Sequence, residues 1–177
     1  LYSGERPNVV PAVAKAVVDM IQALRGLTKK CVVLDLDNTL WGGVIGDDGL
    51  SGIQIGELGT GQAFSDFQVW LKELKNRGML LAVCSKNNDA TAREPFEKHP
   101  EMVLRLEDIS MFVANWEDKA SNIRNIQKTL NIGMDSLVFL DDNPFERNLV
   151  RSMIPVITVP VLPEYPALYL QYLRNLG

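Results

Sequence analysis

Val32-Val33-Leu34-Asp35-Leu36-Asp37-Asn38-Thr39-Leu40-Trp41-Gly42-Gly43-Val44 is the stretch from which the rest of the chain can be read. From Cys31 to Leu36 the run is apolar except at Asp35, the pattern of a strand buried on both faces. Such a run ordinarily closes on turn residues, yet this one closes on Asp-x-Asp-x-Thr. Strand side chains alternate, so Asp35 and Asp37 share a side as far as the extended backbone lasts. Like charges that close repel unless a cation lies between them or one takes a proton. The pair marks a site.

Two further apolar runs end in the same way. Met79 to Cys84 leads into Ser85-Lys86-Asn87-Asn88-Asp89, and Leu137 to Leu140 leads into Asp141-Asp142-Asn143-Pro144. Helical spacing recurs between them. It covers Val13 to Leu24 before Gly26, the face Phe64, Phe67, Trp70, Leu71 and Leu74 before Gly78, and Asp118 to Leu130. Ala90 to Lys98 is a short helix interrupted by Pro95, Phe145 to Met153 is helical, and a helical end starts at Ala167. Met102 to Leu106, Met111 to Ala114 and Val156 to Val159 read as short strands. Trp41 to Gly61 holds eight glycines and reads as a flap or small hairpin. Alternating strands and helices predict a three-layer, Rossmann-like α/β fold: a parallel sheet with helices on both faces, as one domain over 1–177. Ligands in such sheets bind beyond the carboxyl ends of the strands, where all three polar endings fall.

Net charge is −4 with a pI of about 5.1, which argues against a nucleic-acid or membrane-surface binder. An anionic substrate would have to be met locally by a metal, backbone amides and a few Lys or Arg. No apolar stretch approaches a membrane span and the N-terminus is no signal peptide. The chain opens on Leu1, so it is expected to be a piece of a longer polypeptide. Cys31 opens one strand and Cys84 closes another, on the order of 10 Å or more apart, so a disulfide is excluded. Reduced thiols imply a cytoplasmic setting.

Asp35-Leu36-Asp37-Asn38-Thr39, then Ser85, Lys119 and Asp141-Asp142, each at a strand or helix end, resemble the four ordered motifs of the haloacid dehalogenase superfamily of phosphoryl-transfer enzymes. The resemblance implies that Asp35 is a nucleophile forming an aspartyl-phosphate and Asp37 the general acid and base. It implies Mg²⁺ on the Asp35 carboxylate, the Asp37 carbonyl and a later Asp, with Asp142 as direct ligand and Asp141 behind it. Ser85 and Lys119 would bind phosphate, with Asn38, Thr39, Lys86 and Asn87 beside them. About 40 residues separate Thr39 from the second strand and 33 lie between Ser85 and Lys119, so no large cap domain is expected.

Leu34 to Val44, Leu81 to Asn87, Asn115-Trp116-x-x-Lys119 and Phe139 to Arg147 are similar, more closely still, to FkbH-like domains of polyketide assembly lines. That resemblance covers about Lys30 to Pro163. It implies transfer of a glyceryl unit from 1,3-bisphosphoglycerate, through a cysteine thioester, to the phosphopantetheine arm of an acyl carrier protein, with loss of phosphate. Cys84, beside Ser85, is the expected thioester carrier.

Plainer roles stand beside these. Asp35 and Asp37 could be a turn cap, Ser85 a turn residue, and Asp141 to Pro144 a helix N-cap cluster. Lys119 could be a solvated first-turn lysine, although the helix dipole disfavours a cation there. Cys84 could be a core thiol, and strand alternation could turn it from the face of Ser85. Arg147 is either a phosphate contact or a surface salt bridge. The alternatives to glyceryl transfer are a Mg²⁺-dependent phosphatase of small phosphoesters or phosphoproteins that uses Asp35 without a thiol, and a non-catalytic carrier-docking module.

Overall fold

The computed structural model describes residues 28–176, together with Val17 and Met20. The helix expected over Val13 to Leu24 otherwise lies outside the described residues. Four parallel strands form the sheet: β1 (Cys31–Leu34), β2 (Leu80–Lys86), β3 (Met111–Asn115) and β4 (Leu137–Leu140), in the order β3-β2-β1-β4. The sheet builds outward from β1 through β2 and β3, then the chain returns to place β4 on the other side of β1. That reversal at β1 opens a crevice at the carboxyl ends of the strands.

Helices α1 (Ile45–Asp48), α2 (Thr60–Asn76), α3 (Asp89–Lys98), α4 (Lys119–Leu130), α5 (Pro144–Met153) and α6 (Tyr169–Arg174) complete the layers. Strand alternation divides the core in two. Val32, Leu34, Leu81 and Val83 pack on one face with Phe64, Phe67 and Leu71 of α2, Phe96 of α3 and Tyr169 of α6. Cys31, Val33, Ala82 and Cys84 pack on the other with Ala120, Ile123 and Ile126 of α4 and Val150 of α5. Each face is covered because each strand is apolar in both registers, as a parallel sheet requires.

The expected flap is a bridge between Gly42 and Gln54 that encloses α1. Gly43, at φ 89°, takes a backbone conformation that favours glycine and delivers its N–H to Asn38 Oδ1 at 2.9 Å. No large cap is built among the described residues. None of their helices is long and apolar enough to cross a membrane.

Two expected strands differ. Met102 to Leu106 is buried at Met102 and Leu104 but forms no ladder. The Gln68 side chain takes the place of a neighbouring strand, its Oε1 accepting from Val103 N at 3.1 Å and Leu104 N at 3.0 Å. Val156 to Val159 pairs only through Thr158, bridged to Val138. Pro155 and Pro160 flank it, and proline has no N–H to extend a ladder.

Candidate active site

The β1 ladder ends at Leu34, but the Asp35 N–H still bonds the Leu140 carbonyl, which carries Asp35 alongside the start of the β4 loop. Asp35 and Asp141 then stand as successors of the paired residues Leu34 and Leu140. Lys119, the first residue of α4, reaches between them: its Nζ lies 2.9 Å from Asp35 Oδ1 and 2.6 Å from Asp141 Oδ2, with all three side chains buried. Asp118 caps α4 by accepting from Ser121 N at 2.8 Å, which fixes where that lysine starts. Burial alone would lower the Lys119 pKa, but the charges of Asp35 and Asp141 override it and hold the ammonium above its ordinary value.

Asp35, Asp141 and Asp142 each offer a carboxylate oxygen, all within 4.8 Å of one another. Asp141 is engaged on both oxygens, by Lys119 and by Asn143 N at 2.8 Å. Asp142 lines the cleft, with one oxygen bonded to the Thr39 hydroxyl at 3.4 Å. Burial and the Asp35 charge raise the Asp141 and Asp142 pKa values, which the Lys119 charge only partly counters. Three carboxylates and one ammonium leave two negative charges on an all-oxygen donor set. That donor set suits a hard divalent cation.

Asp37 is held differently. Its Oδ1 accepts from Trp41 Nε1 at 3.0 Å and Ile45 N at 2.9 Å, and its Oδ2 accepts from Asn87 Nδ2 at 2.9 Å. Burial raises its pKa, the three hydrogen bonds oppose that rise, and the Asp35 charge adds to it. The two acids of the opening motif therefore occupy unlike environments. Asp35 belongs to the carboxylate cluster that Lys119 joins, and Asp37 stands apart from it, held by three donors.

Asp35, Asp37, Asn38, Ser85, Lys86, Lys119 and Asp142 all line one cleft of about 210 Å³. Of the expected phosphate contacts, Thr39 and Asn87 have other work. The Thr39 hydroxyl is fully buried and accepts from Asp142 N at 3.1 Å, tying the first loop to the fourth. Asn87 orients Asp37. Lys86 reaches the cleft but pairs with Glu146 at 2.6 Å.

Cys84 requires a correction: its thiol is not in the cleft. Alternation turns it to the face opposite Ser85, where it is fully buried and donates to the Lys119 carbonyl at 3.8 Å. Burial pushes its pKa up to about 12. Both cysteines are free and buried, consistent with the expected absence of a disulfide.

The helix cap of α5 is Asn143, whose Oδ1 accepts from Phe145 N, so Asp141 and Asp142 are not the cap. Arg147 is neither exposed nor ion-paired among the described residues; its Nη1 donates to the carbonyls of Asp141 at 2.8 Å and Asp142 at 2.5 Å. Glu146, within the segment Phe139 to Arg147, lines the cleft, and the sequence assigns it no role. One contributor had no signal in the motif pattern: the Tyr169 hydroxyl donates to the Asn38 carbonyl at 3.2 Å from 131 residues away.

No family model matches the chain, and no curated protein matches it. Solved structures do. The N-terminal part of protein BF1531 from Bacteroides fragilis, described as containing a phosphatase domain complexed with Mg, is 61% identical with a TM-score of 0.89. That match covers 96% of this chain and 46% of the other, so this chain spans about half the length of that relative. The haloacid dehalogenase family enzyme BT-2542 from Bacteroides thetaiotaomicron, in complex with magnesium and inorganic phosphate, matches with a TM-score of 0.54 at 10% identity. It covers 77% of this chain and 95% of that one. The haloacid dehalogenase-like hydrolase SP0104 from Streptococcus pneumoniae gives 0.57 at 12% identity, covering 84% and 99%. At such identities the last two speak for the fold alone.

Proposed function

With the fold of the haloacid dehalogenase family as premise, we propose that this chain is a Mg²⁺-dependent phosphatase-type enzyme of that family that works through Asp35. The observation that carries the reading is the division of the two acids: Asp35 clusters with Asp141, Asp142 and Lys119, whereas Asp37 sits outside that cluster with its carboxylate held by Trp41, Ile45 N and Asn87. Asp35 and Asp142 would hold Mg²⁺, with Asp141 behind them. When bound, the ion neutralises charge on the phosphoryl oxygens.

The chemistry of the chain's own groups follows. A carboxylate oxygen of Asp35 attacks phosphorus and the bond to the leaving oxygen breaks, giving an aspartyl-phosphate. Protonated Asp37 gives its proton to that oxygen. As a carboxylate it then takes a proton from water, whose oxygen attacks phosphorus and releases phosphate and Asp35. Lys119 offsets the charge gathered around Asp35, and Ser85 lines the place where phosphoryl oxygens sit. Trp41, Asn87 and Ile45 N keep Asp37 aimed. Phosphate release from p-nitrophenyl phosphate tests this: release that needs Mg²⁺ and is lost in Asp35→Asn supports it, and release that survives in Asp35→Asn refutes it.

Glyceryl loading is the second reading. The FkbH-like segments favour it, as does a cleft that continues, uncapped, into a cavity of about 620 Å³ with room for an incoming phosphopantetheine arm. It shares the phosphate-removing half of the chemistry, in a cytoplasmic setting that suits two free thiols. Its thioester half needs the Cys84 sulfur to leave the core. Incubation with 1,3-bisphosphoglycerate, Mg²⁺ and an acyl carrier protein separates the two. A glyceryl adduct on Cys84 and then on the carrier supports transfer; phosphate release with neither adduct supports hydrolysis alone.

A further inference from the structure

Glu146 is the third residue of α5, behind the capping Asn143. A glutamate there ordinarily reaches back to the main-chain N–H of the cap. That N–H is already taken, because Asn143 N donates to Asp141 Oδ1 at 2.8 Å. Glu146 turns into the cleft instead, and its Oε1 lies 2.6 Å from the Lys86 Nζ. Lys86 ends β2 and Glu146 follows β4, with β1 between those strands in the sheet. Leu34 pairs with Val83, which puts Asp35 level with Cys84 and Lys86 two residues further out, about 7 Å along the strand direction. The ion pair therefore bridges the mouth of the cleft beyond Asp35, and both partners line it.

Two cations line that cleft among the described residues. Lys119 is buried between Asp35 and Asp141. Lys86 has a side chain 35% exposed on a flexible stem, which can swing to a phosphoryl oxygen. Its partner is fixed where it is mobile: the Glu146 side chain is 8% exposed and starts from the first helical turn, where the dipole favours an anion. A lysine left free beside the phosphoryl position would hold substrate and released phosphate alike, and binding both alike does not speed the reaction. We propose that Glu146 is a positioning residue for Lys86: it draws that ammonium away from the phosphoryl position and offsets its charge, which keeps the site's grip on released phosphate weak. The proposal rests on the phosphatase reading for what occupies the cleft.

Calorimetric titration of inorganic phosphate into the Mg²⁺-loaded chain reads that grip directly. Glu146→Gln keeps the shape and removes the charge, and phosphate should then bind at least about fivefold tighter. The inhibition constant of phosphate against p-nitrophenyl phosphate should fall by the same factor. The double variant Lys86→Met/Glu146→Gln should lose the whole gain, because the ammonium is the means. Unchanged or weaker phosphate binding in a folded Glu146→Gln chain would overturn the proposal, as the mark of a merely structural pair. A gain that persists in the double variant would also overturn it. Lys86→Arg, at a partly exposed position, covers the case of a Glu146 variant that does not fold. Its planar fork can hold Glu146 and an anion at once, so phosphate should bind tighter there too, and no gain would contradict the proposal. Turnover is scored separately. A phosphate gain in Glu146→Gln without hydrolysis by the wild-type chain sinks the phosphatase reading and leaves the role of Glu146, whereas hydrolysis with no gain does the reverse.

Discussion

The Lys119 ammonium stands 2.9 Å from the Asp35 carboxylate, and it comes from the first turn of a helix, where the dipole opposes a cation. That placement is favourable only because Asp35 and Asp141 together outweigh the dipole and the burial. Lys119→Met should therefore be costly, leaving clustered carboxylates without their ammonium. We expect a stability loss of about 3–5 kcal/mol in metal-free protein, as for a broken buried ion pair. Saturating Mg²⁺ should recover part of it by mass action. Thermal unfolding with and without Mg²⁺ measures both, and a variant as stable as wild type would contradict the arrangement.

The pH dependence of metal-free stability carries its own sign. Asp37, Asp141 and Asp142 all have raised folded-state pKa values, with burial first among the causes. Above the ordinary value of 3.8, the folded chain thus binds protons that the unfolded chain has released. Stability from these groups must fall as pH rises from 3.8 through their raised values. Asp108 opposes them: Lys75 and Lys72 hold its pKa low, so its contribution is lost as pH falls. Denaturant titrations should show the metal-free chain losing stability on the way up to neutral pH. With Mg²⁺ that slope should reverse, because the ion binds the deprotonated acids.

Cys84 should behave as a core residue. A fully buried thiol with its pKa pushed up to about 12 offers almost no thiolate at neutral pH. Alkylation of the native chain should be slow, then rapid in denaturant. Cys84→Ala should leave phosphate release within about twofold of wild type while lowering stability by about 1–2 kcal/mol, the scale of a small core deletion. Fast native alkylation would overturn the placement.

Tyr169 ties α6 to the catalytic loop. Burial pushes its phenol up to about 12, so at neutral pH it remains a donor to the Asn38 carbonyl. Asn38 has a φ of 56°, a left-handed conformation that asparagine tolerates better than most residues. Tyr169→Phe should loosen that turn at a cost of about 1 kcal/mol. A raised KM with kcat nearly kept is the expected kinetic signature, and unchanged kinetics would argue against the tie.

What could be read from the sequence followed the range of each interaction. Asp35, Asp37, Ser85 and Asp141 announce themselves because apolar strands end beside them, and Lys119 because a cation opens a helix; both are local features. The side on which Cys84 lies was not legible from proximity to Ser85, since one step along a strand reverses direction. Gln68 is one polar residue within α2, yet its side chain replaces a strand for Val103 and Leu104. Tyr169 reaches the Asn38 carbonyl from 131 residues away, and no spacing rule encodes that. Thr39 and Asn87 carry the right chemistry for phosphate but are engaged by Asp142 and Asp37, a choice made by tertiary geometry.

The central claim is that Asp35 becomes phosphorylated. Acid quenching of the chain during Mg²⁺-dependent turnover of a phosphoester, followed by peptide mass mapping, tests it most directly. A phosphoryl adduct on Asp35, absent without Mg²⁺ and absent in Asp35→Asn, is the predicted result. Turnover that continues in Asp35→Asn, with no adduct on the wild-type peptide, would contradict it.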